Sequence, residues 1–190
     1  MDRFEVTSRV PHAQRGAVLD LVHDILVREH ALSPRTWKEL TEAYDAGNVC
    51  LALSHDEVVG WVLCLPRGRR AQELAGAYVA PELRGSRITS ALLREALGRR
   101  LFTVCVTSDP KLTKYLRWWG FQTCSPRRLV KITGLSMLWD RISPSRLRFG
   151  RSYVRVAALQ LLVFDRAVSG RWLPAAKPPS SRPRQKGRQG

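Results

Sequence analysis

The stretch Glu73-Leu74-Ala75-Gly76-Ala77-Tyr78-Val79-Ala80-Pro81-Glu82-Leu83-Arg84-Gly85-Ser86-Arg87-Ile88-Thr89-Ser90-Ala91-Leu92-Leu93 changes character twice. Glu73–Ala80 reads as an extended run, and Pro81 interrupts it. Arg84-Gly85-Ser86-Arg87 is a short polar loop, and Ile88–Leu97 has the propensity and apolar spacing of a helix. A strand, a tight loop and a helix start make an anion site from backbone alone. The first helical N–H groups have no acceptor within the helix, and the helix dipole adds partial positive charge there. That geometry is expected at residues 84–89, where Arg84 and Arg87 add formal charge. A phosphate-bearing cofactor fits such a site; the plainer alternative is an ordinary strand-to-helix loop with exposed arginines.

Upstream, Val18, Val22, Ile25 and Leu26 fall at helical spacing within residues 14–31. Ser33-Pro34 reads as the start of a second helix that turns Trp37, Leu40 and Tyr44 inward and stops at Gly47. Val49, Leu51 and Leu53 then alternate, Ser54-His55-Asp56-Glu57 turns the chain, and Val58–Leu65 extends again: a hairpin. Downstream, Leu101–Val106 reads as a buried strand and Pro110–Trp119 as a short helix stopped by Gly120. More strand is expected at residues 121–133. This order predicts a mixed sheet with helices, an α/β or α+β sandwich.

Beyond residue 133, Leu135–Ile142 reads as a helix. Tyr153–Phe164 is an apolar run broken only by Arg155 and Gln160. It is expected to be a core or homodimer-interface helix, with a packed strand or an amphipathic segment on an acidic membrane surface as the alternatives. The expected organisation is a domain over residues 1–133, a basic extension over 134–173 and a disordered basic tail over 174–190.

Charge follows that division. The chain has 190 residues, 32 Lys+Arg against 16 Asp+Glu, and a formal net charge of +16. Its first 120 residues hold 17 basic and 14 acidic side chains, whereas residues 121–190 hold 15 and 2. The excess reads either as a solvated tail or as an arm for nucleic acid or another acidic partner through residues 121–190. The tail 174–190 has no aromatic residue on which a base could stack.

No stretch approaches the ~20 apolar residues of a transmembrane helix. Met1–Glu5 does not read as a secretory signal, so a cytoplasmic protein is the expectation. Cys50, Cys64 and Cys105 lie in apolar runs and Cys124 forms no C-x-x-C pair, which predicts reduced structural thiols. Neither these nor His12, His23, His30 and His55 give metal-ligand spacing, and no metal site is expected.

The quoted stretch resembles the acyl-CoA-binding motif of the GNAT (GCN5-related N-acetyltransferase) superfamily. In that pattern a strand ends in an aromatic-Val step, followed by Pro-Glu, Arg/Gln-x-x-Gly-x-Gly/Ala and an apolar helix. Tyr115-Leu116-Arg117-Trp118-Trp119-Gly120-Phe121 resembles the family's aromatic helix followed by Gly-Phe. The resemblance covers about residues 3–133 and implies a GNAT-like fold with a basic C-terminal extension. It further implies acetyl-CoA, or another acyl-CoA, as co-substrate. The backbone of Ala77, Tyr78 and Val79 would pair with the pantetheine arm. Arg84, Gly85, Ser86, Arg87, Ile88 and Thr89 would cradle the pyrophosphate. Glu73 would deprotonate the acceptor amine, since an ammonium cannot attack a thioester carbonyl.

Four positions depart from the pattern. Arg87 and Thr89 stand where glycines, or glycine and alanine, are usual. Leu116 takes the slot of the tyrosine that protonates the leaving thiolate, with Tyr115 one residue earlier. Asp109 replaces an asparagine common at the start of this helix, where the cofactor is contacted. The resemblance therefore implies an N-acyltransferase acting on an unidentified amine with an atypical site. The alternatives are a non-catalytic GNAT-like module that binds CoA or a partner, and an unrelated basic nucleic-acid-binding protein.

Overall fold

The computed structural model describes residues 4–29, 35–135, 137 and 160–169. The elements run β1 (Glu5–Thr7), α1 (Arg15–Arg28), α2 (Trp37–Asp45), β2 (Val49–Ser54), β3 (Glu57–Arg67), β4 (Ala71–Val79) and α3 (Ile88–Leu97). They continue β5 (Phe102–Thr107), α4 (Pro110–Trp118), β6 (Gln122–Thr123), α5 (Pro126–Thr133), β7 (Gln160–Asp165) and α6 (Arg166–Ser169). The strands form one sheet in the order β1-β2-β3-β4-β5-β7-β6. β4 and β5 are parallel and every other pairing is antiparallel.

Helices cover both faces. α1 buries Val18, Leu19, Val22, Ile25 and Leu26, and α2 buries Leu40, Ala43 and Tyr44, against Leu51, Trp61 and Leu63 of the sheet. α3 and α4 cover the opposite face through Leu92, Leu93 and Leu116, with Trp119 just past the end of α4. α5 packs Leu129 beside Met137 onto Val104 and Val163. Gly60 permits close approach at the start of α3, because a Cβ there would lie 3.2 Å from Ile88 Cγ2 and 3.0 Å from the Tyr78 carbonyl oxygen.

Several sequence expectations change. α2 is capped by Thr36, whose hydroxyl accepts from the Glu39 amide while the Glu39 carboxylate accepts from the Thr36 amide. Trp37 is consequently on the outside, 42% exposed, with its ring edge-on to His23. Residues 33 and 34 lie outside the described set. Strand in the 121–133 region is confined to Gln122–Thr123. Pro126 at the first position and the Ser125 hydroxyl, accepting from the Arg128 amide, start a helix instead.

The expectation of a helix at 153–164 is also corrected for its described part: Gln160–Asp165 is strand β7. It runs between β5 and β6, with Leu162 and Phe164 facing α3 and α4 and Val163 facing α5. A strand buried on both faces has no polar alternation, so the run imitated a buried helix. The sheet carried by residues 5–123 is thus completed by 160–165. Residues 153–159, the expected helix over 138–142 and the tail 174–190 fall outside the described residues.

Candidate functional site

β4 and β5 part company. Their parallel register covers only Ala71↔Phe102, Gln72↔Thr103 and Glu73↔Val104. Beyond Glu73 the β5-facing edge of β4 has no strand partner among the described residues, and Ala75–Tyr78 are only half-buried. A bulge reinforces the divergence: Leu63 pairs with Gly76 but Cys64 pairs with Leu74, leaving Ala75 as the additional residue. The bulge also reverses the strand's faces. Leu74, Ala77 and Val79 pack on the α3 side, whereas Ala75 and Tyr78 pack on the α1–α2 side. The result is a V-shaped opening through the sheet whose apex lies at Glu73.

The strand-to-helix loop lies at the end of β4 above this opening. A 3-10 turn, Pro81–Leu83, leads to Gly85 at φ +86°, and Arg87 enters α3 at φ −80°, ψ −1°. The left-handed conformation therefore falls on the glycine this loop retains, and Arg87 occupies ordinary helical backbone without strain. The Ile88 amide donates to Ser86 Oγ at 3.3 Å. Among the described residues the amides of Gly85, Arg87, Thr89 and Ser90 have no acceptor. Arg84 Nε donates to the Val79 carbonyl at 3.3 Å, which ties the loop to the strand end. Arg84 and Arg87 are exposed, and α3 carries no acidic residue in its first turn. Open amides, two guanidiniums and a helix N-terminus fit a pyrophosphate.

Glu73 is 2% exposed and faces the α1–α2 side. Arg67 Nε donates to its Oε2 at 2.9 Å, and Arg67 Nη2 contacts the same oxygen. Arg35 Nη2 approaches Oε1 to 3.9 Å, with its side chain 1% exposed. Both positive charges favour the ionised carboxylate, and Arg67 occupies lone pairs that a proton would need. No local pattern marks Arg35, which is 38 positions from its partner. Arg67 is the last residue of β3 and packs inward, the register setting it opposite Ala71.

The side chains of α4 divide cleanly. Leu116 is fully buried, whereas Tyr115 points toward α3 and places its hydroxyl 3.4 Å from Ser90 Oγ. Tyr115 stacks on Trp118 with ring centroids 6.3 Å apart. Asp109 caps α4, its Oδ1 accepting from the Lys111 amide at 2.8 Å. All four cysteines are buried and none forms a disulfide; burial raises Cys50 to about 11 and pushes Cys64 and Cys124 upward. Nucleophilic thiolate chemistry has no support in that environment. Among the described residues no cluster of His, Cys, Asp and Glu has the makings of a metal site, and no helix is long and apolar enough to cross a membrane.

The parted β4 and β5, with a phosphate-competent loop at their mouth, define this chain as a GNAT-fold protein. Residues 19–109, from α1 to the start of α4, match the model of the acetyltransferase (GNAT) family. Among solved structures, a Mycobacterium tuberculosis protein in complex with CoA aligns over 85% of this chain and 98% of its own, at 18% identity and a TM-score of 0.58. The yncA protein of Salmonella typhimurium, with acetyl-CoA, aligns over 94% and 99% at 14% identity and TM-score 0.55. N-acetylglutamate synthase from Neisseria gonorrhoeae, with CoA and N-acetyl-glutamate, aligns over 87% of this chain at 15% identity and TM-score 0.56. The chain spans only 35% of that synthase. Among curated proteins, none matches the chain by sequence.

Proposed function

We propose that this protein transfers an acetyl or related acyl group from acyl-CoA to an amine by direct attack. The opening between β4 and β5 below the loop at residues 84–89 is the observation that carries this reading. The free edge of β4 at Ala77–Val79 pairs with the pantetheine amides as an added strand would. The amides of Gly85, Arg87, Thr89 and Ser90, with Arg84 and Arg87, hold the phosphates. When bound, acyl-CoA supplies an electrophilic thioester carbonyl at the apex of the V.

Glu73 lies on the α1–α2 face of the sheet, the face from which the acceptor arrives in this reading. Its ionised carboxylate attracts the incoming ammonium and orients water that takes the proton. The flanking guanidiniums work against Glu73 keeping that proton itself. Tyr115, on the α3 side, protonates the departing thiolate in this reading. CoA and N-acetyl-glutamate together in the Neisseria synthase support including amino acids among the acceptors assayed.

Burial of Leu116 and the pairing of Glu73 favour one second reading, a CoA-binding module that does not turn over. Calorimetry with acetyl-CoA tests what the two share. Binding is expected for the intact protein and its loss for Arg84→Glu, and no binding by the intact protein overturns both. CoA thiol release with a panel of amino acids, peptides and polyamines separates enzyme from module.

A further inference from the structure

The end of the sheet remote from the cofactor loop carries a fixed array of arginines. Arg69 and Arg70 occupy the β3–β4 turn, Arg100 precedes β5 and Arg166 follows β7. The four are held together by backbone contacts. Arg100 Nη1 donates to the Arg69 carbonyl at 2.9 Å, and the Phe102 amide donates to the Arg70 carbonyl at 3.0 Å. Arg166 Nη1 donates to the Gly98 carbonyl at 2.7 Å, and its amide donates to the Leu101 carbonyl at 2.9 Å. Among the described residues no carboxylate lies within ion-pair distance of any of the four. The acidic groups nearby are already engaged: Glu95 pairs with Arg99, and Asp165 accepts from the Ala167 amide.

Closing α3 accounts for part of this pattern, since cations favour a helix C-terminus. It does not account for Arg69 and Arg70, which are exposed and make no side-chain hydrogen bond among the described residues. Nor does the cofactor loop need them. β4 separates the two ends by roughly 26 Å from Ala71 to Val79, at ~3.3 Å per residue.

We propose that this arginine end is a docking surface for the phosphodiester backbone of a nucleic acid. Three observations favour that occupant over an acidic protein. The array is built from arginine alone, in a chain with 26 arginines and six lysines, and the planar guanidinium suits bidentate phosphate binding. The four residues of the array bring no apolar or aromatic side chain, and only Val168, 58% exposed, lies two residues from one of them in the chain, whereas protein interfaces centre on apolar and aromatic side chains. Finally, residues 170–190, which follow Ser169 in the sequence, hold six basic and no acidic side chains. Contacts of this kind bind without reading sequence.

The test is fluorescence anisotropy of a short labelled RNA and a duplex DNA of equal length against the full chain over a salt series. Binding at low salt is expected, with affinity falling linearly on a log–log plot. Arg69→Gln with Arg70→Gln lowers the slope by about one to two and weakens binding on the order of tenfold at low salt. Arg69→Lys with Arg70→Lys keeps the slope. RNA and DNA arms identify which nucleic acid binds more tightly. Absence of binding, an unchanged slope in the Gln variant, or equal displacement by polyglutamate would each overturn the proposal. Acetyl-CoA affinity and the melting temperature of the Gln variant are expected to match the parent protein, which keeps this test separate from that of acyl transfer.

Discussion

Arg67 holds Glu73 through a buried ion pair, its Nε donating to Oε2 at 2.9 Å where β4 and β5 diverge. Both side chains are nearly sealed from water, at 7% and 2% exposure. A pair so placed contributes little net stability when intact, but losing one partner strands the other's charge.

Glu73→Gln is therefore expected to destabilise the fold by about 3 kcal/mol, read as a lower urea midpoint with an unchanged m-value. It also decides the residue's chemistry. If Glu73 attracts the ammonium and orients water, the variant loses rate while the acid limb of the pH–rate profile keeps its position. Displacement of that limb would instead identify Glu73 as the group that takes the proton.

Gly85 is the one residue of the loop at 84–89 at positive φ, and no atom lies within 4 Å of a Cβ built there. Gly85→Ala thus meets only backbone strain, about 1–2 kcal/mol. Expressed in the loop, this weakens acetyl-CoA binding roughly 5- to 30-fold by calorimetry. Arg87→Gly, by contrast, relieves no strain, because Arg87 is already in the helical region. It should weaken binding through lost charge alone.

Tyr115→Phe removes the hydroxyl beside Ser90 and is expected to cost under about 1 kcal/mol of stability. A thiolate-protonating role predicts lower kcat with acetyl-CoA affinity preserved; unchanged kcat excludes it. Placing the tyrosine of the GNAT pattern in this slot with Leu116→Tyr is expected to fail. That position is fully buried in the core, and the substitution should cost about 1–3 kcal/mol.

The thiols predict an alkaline limit. Burial raises Cys50 from its ordinary value near 9 to about 11, so the folded chain keeps its proton where the unfolded chain releases it. The stability linked to this group is complete below pH about 9 and is lost as pH rises toward 11. Urea midpoints should fall across that window and be flat for this group below it. Iodoacetamide at neutral pH should leave the native thiols unmodified and label all four in urea.

Local chemistry made much of this protein readable. The spacing of Val18, Val22, Ile25 and Leu26 marked the buried face of α1, and Ser54–Glu57 marked the β2–β3 turn, which His55 and Asp56 close at positive φ. The loop at residues 84–89 was legible because glycine and a following apolar helix leave few other geometries. β1 escaped notice because three residues carry no period. β7 was misread because both its faces are buried.

The sequence by itself determined the order of elements from α1 to α4, the strand-to-helix loop at residues 84–89 and the concentration of positive charge after residue 120. These depend on neighbours along the chain, whose torsions, caps and periodicity are local. Tertiary structure alone decided which face of β4 each residue meets, because the bulge at Ala75 appears only when Leu63 and Cys64 supply the partner register. It alone brought Arg35 to Glu73, moved Trp37 outside, and gathered Arg69, Arg70, Arg100 and Arg166 at one end. Strand pairing joins residues distant in the chain, and no local energy term records which distant partner a strand will find.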